Sequence, residues 1–319
     1  MHRPTVEIMR IGIFSSVAVT VAACSIFGVG TVGGIPAATA APTYTCGGEV
    51  PPARADGSAW VCTYNDEFSS LTLDRTRWTP QKTIGSDFTS GGPSGKACYL
   101  DSPRNVSVSG GVVNLTVRKE AASVACGSFR TYYTAGSVST VNGFSQMNGR
   151  FEVRAKLPNV SLAGLQETLW LWPKNAIKYG AWPASGEIDF AELYSLYNGW
   201  NIPYIHYNYS QPPNWTTNVN VVTALPAPYA QPGMACQYDP AAFNTYAVTW
   251  KPGEIDLYVN GQTCIINHYV SITGSTAAAP FDQPFFLALT QGLGVDANAV
   301  TAKTPLPATT SVDYVRVWK

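Results

Sequence analysis

The fold predicted by this sequence is an all-β sandwich or barrel, and three observations predict it. Stretches of alternating apolar and polar residues recur along the chain between turn clusters. No 3.6-residue periodicity is sustained after residue 40. Glycine (28) and proline (23) are abundant in the 319 residues, which is poor material for helices. The length fits one large domain, and a chain of this size is not limited by the core it can bury. Charged residues make up only 13%, with 20 basic balanced by 20 acidic. No cationic excess is available to neutralise phosphates, so a nucleic-acid partner is not expected. Nine tryptophans and 17 tyrosines instead suit aromatic binding surfaces.

Residues 1–40 read as an export signal, apart from the fold. Arg3 and Arg10 precede an uncharged apolar run from Ile11 to Val29, and Ala38-Thr39-Ala40 offers small residues for a signal peptidase. Residues 41–319 then form a single domain, with Ala41 to Pro52 as a loose lead-in. The expected location is secreted, with lipid anchoring through Cys24 as the alternative, because Val21-Ala22-Ala23-Cys24 loosely resembles a lipobox. Gly28, Gly30, Gly33 and Gly34 break up the apolar run, so no stable membrane span is expected. Beyond Cys24 there are six cysteines, an even number that suits disulfides in an oxidising compartment. Their grouping suggests Cys46–Cys62, Cys98–Cys126 and Cys236–Cys264. There is no Cys-x-x-Cys, and only His206 and His268 follow the signal, so a zinc site or a Cys–His nucleophile has little support.

The strands can be read in order. Val113, Leu115 and Val117 alternate with Asn114, Thr116 and Arg118; Phe151, Val153, Ala155 and Leu157 alternate with Glu152, Arg154 and Lys156. Tyr246, Val248 and Trp250 form the next strand. Ile255, Leu257 and Val259 follow, ending at the hairpin signal Asn260-Gly261. Phe285 to Leu289 is continuously apolar, as in a strand buried on both faces, and Val312 to Trp318 closes the chain.

Chemistry concentrates in Gly186-Glu187-Ile188-Asp189-Phe190-Ala191-Glu192. On a strand, Ile188 and Phe190 face one way and Glu187 and Asp189 the other. Glu192 has the wrong parity and would point inward, where an unpaired carboxylate is costly. A β-bulge near Phe190–Ala191 would return it to the face of the other two acids and turn Leu193 to the core. Three like charges brought together raise one another's pKa, an arrangement concentrated where chemistry uses it. Two glutamates with a spacer suit glycoside hydrolysis, which needs an ionised nucleophile and a protonated acid. Their Cα atoms would lie about 13 Å apart, compatible with either a retaining or an inverting carboxyl separation. An acidic surface patch or a Ca²⁺ site is the competing reading of the same residues.

This segment resembles the Glu-x-Asp-x-x-Glu signature of glycoside hydrolase family 16, the laminarinase-like enzymes. Asp66-Glu67-Phe68, Asn148 to Arg154, Phe243 to Trp250 and Val312 to Val317 resemble other strands of that family, in order along most of the chain. The resemblance implies a jelly-roll β-sandwich of two curved antiparallel sheets, concanavalin A-like, with a concave substrate cleft. It also implies a retaining mechanism with Glu187 as nucleophile, Glu192 as acid/base and Asp189 as electrostatic helper. The extra residue before the last glutamate resembles the bulged branch of the family, which includes β-1,3-glucanases and agarases. Trp182, Trp170, His206, Gln291, Tyr99, Arg104 and Asn105 match positions of sugar contacts in the family, with the leucines of Thr168 to Trp172 facing the core and its tryptophans the cleft. Asp313 matches a position that often binds a structural Ca²⁺; no cofactor is otherwise implied. Two departures bear on the substrate: Gln166 stands where laminarinases carry a tryptophan, and Gly292-Leu293-Gly294-Val295 lacks another. The expectation is a monomeric, secreted endo-β-1,3-glucanase with a β-glucan partner. A β-galactan or agar-type hydrolase, a transglycosylase and a non-catalytic glucan-binding protein are the alternatives.

Overall fold

The computed structural model describes residues 46–48, 51, 54, 56–207, 236–269 and 278–319; the expected signal peptide, with Cys24, lies outside the described residues. Sixteen strands occur among them. The first six are β1 (Cys62–Asp66), β2 (Thr79–Pro80), β3 (Thr89–Ser90), β4 (Ala97–Tyr99), β5 (Val106–Ser109) and β6 (Val112–Cys126). Next come β7 (Phe129–Ser139), β8 (Gly149–Lys156), β9 (Leu165–Pro173), β10 (Glu187–Tyr194) and β11 (Tyr204–His206). The last five are β12 (Asn244–Lys251), β13 (Glu254–Val259), β14 (Gln262–His268), β15 (Phe285–Leu293) and β16 (Ala308–Trp318). No helix among the described residues is long and apolar enough to cross a membrane.

One continuous sheet curls into two layers. The order β11-β10-β9-β15-β7 makes the first, and β6-β16-β8-β12-β13-β14 the second. They join where the outer half of the β6–β7 hairpin pairs, from Arg118↔Thr134 to Cys126↔Phe129. The pairings are antiparallel as expected, except that β4 runs parallel to β7. Between the layers, Leu169, Leu171, Ile188, Phe190, Leu287 and Leu289 meet Phe151, Val153, Val248, Trp250, Leu257, Val315 and Val317, all buried. Truncating one such leucine to alanine costs about 2–5 kcal/mol through lost burial and the cavity left behind. The Asn260-Gly261 turn joins β13 to β14 with φ of 50° and 75°, the left-handed pair that a tight hairpin demands. The disulfides are Cys46–Cys62, Cys98–Cys126 and Cys236–Cys264, the pairs that their grouping suggests.

The outer, concave face of the first layer carries a second apolar cluster. Phe88, Tyr99, Trp170, Trp172, Ala135 and Ala288 are buried there. Residues of β2 to β4 and their loops thus cover part of the face, and the acidic segment lies beside this cover.

Candidate active site

Strand β10 carries the bulge that side-chain parity requires. Asp189 pairs with Trp170 and Ala191 with Leu169, and the register shifts across Phe190, which has no partner on β9. Phe190, Ala191 and Leu193 are all buried in the core. Glu192 then lies opposite Thr168, and Glu187, Asp189 and Glu192 share the concave face. The bulge interrupts the ladder, and the side chain of Asn201 repairs it. Its Oδ1 accepts from the Glu192 backbone N–H (3.0 Å) and its Nδ2 donates to the Phe190 carbonyl (3.1 Å). Asn201 is fully buried. Its own N–H donates to the carbonyl of Cys236, which the Cys236–Cys264 bridge fixes.

Each carboxyl has its own donors. The indole N–H of Trp182 donates to Glu187 Oε2. His206 Nε2 lies 3.2 Å from Asp189 Oδ2. Gln166 Nε2 donates to Glu192 Oε1 at 2.6 Å, and the side chain of Tyr194 also bonds Glu192. All three acids are at least nine-tenths buried, and burial is the main force pushing each of them above the ordinary carboxylate range. The charge of Asp189 raises Glu187 further, and that of Glu192 raises Asp189. His206 and Trp182 pull Glu187 back, as Tyr194, His206 and Gln166 do for Glu192. Three acids this close do not all ionise together, so the cluster retains protons in the range where an isolated carboxyl has lost its own.

Half-buried aromatic rings flank the acids on the β11 side. His206 pairs with Glu187 and Tyr204 with Asp189 across the β10–β11 ladder. The Tyr204 and His206 rings stack at 5.7 Å, and Trp182 leans on His206 at 5.3 Å. This row offers flat apolar surface beside the carboxyls, as a sugar-binding cleft does.

Glu187, Asp189, Glu192, Trp182 and His206 therefore come together as expected. The other expected contacts do not. Trp170 is on the concave face, but Phe88 stacks on it at 6.2 Å, Trp172 packs edge-on, and its indole N–H donates to Thr290, leaving it 3% exposed. Tyr99 is covered by the same cluster, with its hydroxyl donating to Ser90. Gln291 faces the interior, donating to Glu167 (2.7 Å) and accepting from Thr310 (2.8 Å). Asn105 is buried against the Thr116 carbonyl and the Thr134 hydroxyl, while Arg104 is exposed and paired with Glu120. Asp313 is ion-paired with Arg154. That adjacent cation opposes a divalent ion, so Asp313 does not fit as a Ca²⁺ ligand.

Among the described residues, the one group of three or more His, Cys, Asp or Glu ligand atoms close enough to share a metal is Glu187, Asp189 and His206, within 4.8 Å of one another. Tyr194, Asn201 and Tyr204 were missed in the sequence, and Gln166 was read there only as the replacement of a cleft tryptophan, not as a partner of Glu192. Gln166 and Tyr194 share the strand parity of Thr168 and Glu192, which was the available signal; Asn201 and Tyr204 lie on the return segment and gave none.

Comparison with known proteins identifies the family and the fold. The model of the family described as glycosyl hydrolases family 16 matches residues 96–290. A glucan endo-1,3-beta-glucosidase A1 of Niallia circulans is 32% identical over 274 residues, covering 80% of this chain and 37% of that protein. A keratan-sulfate endo-1,4-beta-galactosidase of Sphingobacterium multivorum is 30% identical over 266 residues, covering 80% of this chain and 54% of that protein. The chain thus spans about a third to a half of the length of these relatives. The catalytic domain of an endo-1,3-beta-glucanase (laminarinase) from Thermotoga petrophila RKU-1 superposes with a TM-score of 0.61 at 23% identity, over 82% of this chain and 98% of that one. At that identity the likeness is one of fold, the curled jelly roll.

Proposed function

The chain belongs to glycosyl hydrolase family 16, and from that membership we propose that it is a secreted, retaining endo-glycosidase that hydrolyses β-1,3-glucan. The observation that carries the reading is the bulge on β10, which sets two glutamates and an aspartate on one concave face. In the proposed mechanism Glu187 attacks the anomeric carbon and forms a glycosyl-enzyme, while Glu192 protonates the departing oxygen. Glu192, now ionised, takes a proton from water, which displaces Glu187. The raised pKa values of all three acids do not divide these roles; the division follows the order of the acids in the family signature. Asp189, held by His206, lies between the two glutamates and sets their charge balance. Trp182, His206 and Tyr204 supply the wall on which sugar rings stack. Three disulfides and the amino-terminal segment support export.

A second reading, a β-galactan hydrolase of the same mechanism, is favoured by Gln166. A polar amide stands there in place of a cleft tryptophan, and the keratan-sulfate endo-galactosidase is nearly as similar as the glucanase. Digestion of laminarin, lichenan, agarose and β-galactan, followed by NMR of the first-formed anomer, tests both readings. Short oligosaccharides from laminarin, initially in the β configuration and absent with Glu187→Gln, are expected. Product from β-galactan alone would move the substrate to the second reading, and undiminished product from Glu187→Gln would overturn the mechanism.

A further inference from the structure

On the β6–β7 side of the molecule, the loop before β4 and the outer half of the β6–β7 hairpin enclose an open groove of about 500 Å³, within the range of ligand sites. Lys96, Lys119 and Arg130 line it together with Phe129, Tyr132 and Tyr133, and no carboxylate among the described residues does. Three cations without an acid are a local excess in a chain whose charges balance overall. Tyr132 is 51% exposed on one face of β7, and Phe129 and Tyr133 are half-buried on the other. We propose that this groove is an accessory binding site for an acidic polysaccharide, a sugar chain that bears carboxylates.

Its walls are fixed before any ligand arrives. The Cys98–Cys126 disulfide ties β4 to the hairpin tip, and the Thr131 hydroxyl bonds the Lys96 carbonyl. The Tyr133 ring lies against Gly95, where a Cβ would come within 2.5 Å of it. Arg130 is held by two bonds to Ser123, at 3.2 Å and 2.7 Å, and Lys96 sits 5.9 Å from the centre of the Phe129 ring. A preformed site avoids most of the ordering cost of binding. The flat rings offer stacking surface to the C–H face of a sugar, and the ammonium and guanidinium groups meet its carboxylates with charge-assisted bonds. Strands β9 and β15 separate β7 from β10, so the groove is distinct from the acid cluster. Its occupant would hold the protein on a charged matrix while the cleft stays free. The proposal does not depend on which bond the cleft cleaves.

Affinity electrophoresis of the whole protein in native gels containing polygalacturonate, with neutral dextran gels as control, tests it. Retardation is expected with polygalacturonate alone. Tyr132→Ala, and separately Lys96→Ala combined with Lys119→Ala, should each weaken it at least fivefold, while Tyr132→Phe keeps it. Hydrolysis of a short soluble oligosaccharide and the melting temperature should be unchanged in every variant, which separates this site from the catalytic reading and from misfolding. No retardation of the wild type overturns the proposal. So does undiminished retardation of Tyr132→Ala, which would mean adsorption by charge alone. Equal retardation by polyglutamate that depends on the same residues would assign the groove to acidic peptides and overturn the glycan assignment.

Discussion

Glu192 and Glu167 are two buried carboxyls with much in common and different surroundings. Each accepts a bond from a glutamine amide, Gln166 in one case and Gln291 in the other. Burial raises the pKa of both, Glu167 to about 8. Gln166 and Glu167 are adjacent in sequence on β9 and point to opposite faces, so the concave and interior acids are supported from the same strand. Glu192 has Asp189 and Glu187 beside it and half-buried rings along the β11 side. Glu167 has Gln291 and, through it, the Thr310 hydroxyl, sealed between the layers. A displaced pKa therefore marks burial in both places, and only the company of other acids on the concave face distinguishes a candidate for chemistry.

The comparison breaks first if the same change has the same effect at both sites. Glu187→Gln and Glu192→Gln should each lower kcat on laminarin by about a thousandfold or more, as expected for removal of a group that acts in the transition state. Glu167→Gln should leave kcat within about threefold. For Glu192→Gln, a substrate with a good aryl leaving group, which needs no acid, should recover formation of the glycosyl-enzyme.

The support of the bulge comes next. Asn201→Ala strands the Glu192 N–H and the Phe190 carbonyl, at about 1–3 kcal/mol each. Glu192 should shift by a fraction of an ångström to an ångström, and kcat should fall roughly 10- to 100-fold with little change in KM. An unaltered kcat together with a lowered Tm would make Asn201 structural only.

Stability against pH sharpens the interior half. The pKa of Glu167 is raised above its unfolded value, so the native state keeps a proton that the unfolded chain releases. The resulting penalty is absent below the unfolded carboxyl pKa, grows as pH rises, and levels off above about 8. Glu167→Gln removes it, so the Tm advantage of the variant should widen between about pH 4.5 and pH 8. A constant difference would show that Glu167 is not held neutral.

The smallest effect belongs to Gln166. Its amide favours ionised Glu192, so Gln166→Ala should raise the Glu192 pKa and move the alkaline limb of kcat/KM to higher pH. Movement to lower pH would mean that Gln166 favours the protonated form.

Parity along the strands made most of the site legible. It required a bulge before Glu192, and the register shift at Phe190 is that bulge. The same rule bears on Gln291, because Leu287 and Leu289 face the interior and Gln291 shares their parity. Family position had suggested the cleft instead, and the interior hydrogen bonds show which prevailed. Trp170 illustrates what parity does not carry. It lies on the concave side, yet Phe88 from a segment some eighty residues away covers it, and no local pattern reports such a contact. Asn201 is similar: a lone asparagine on the return segment, whose role exists only once β10 has bulged beside it.

The placement of β16 has a consequence for how the chain folds. This last strand pairs with β6 along Ala308–Val312, with β8 along Ser311–Trp318 and with β1 near its end. Strands β1, β6 and β8 thus wait for a partner that comes after all of them in the chain. Their pairing spans more than two hundred and fifty residues in the case of Cys62↔Trp318, a closure that makes folding slow and late. Until β16 pairs, the second layer lacks its middle and exposes unpaired edges, a form open to aggregation. Loss of β16 would leave β1, β6 and β8 without the strand they share, so Ala308–Trp318 governs whether this half of the sandwich closes at all.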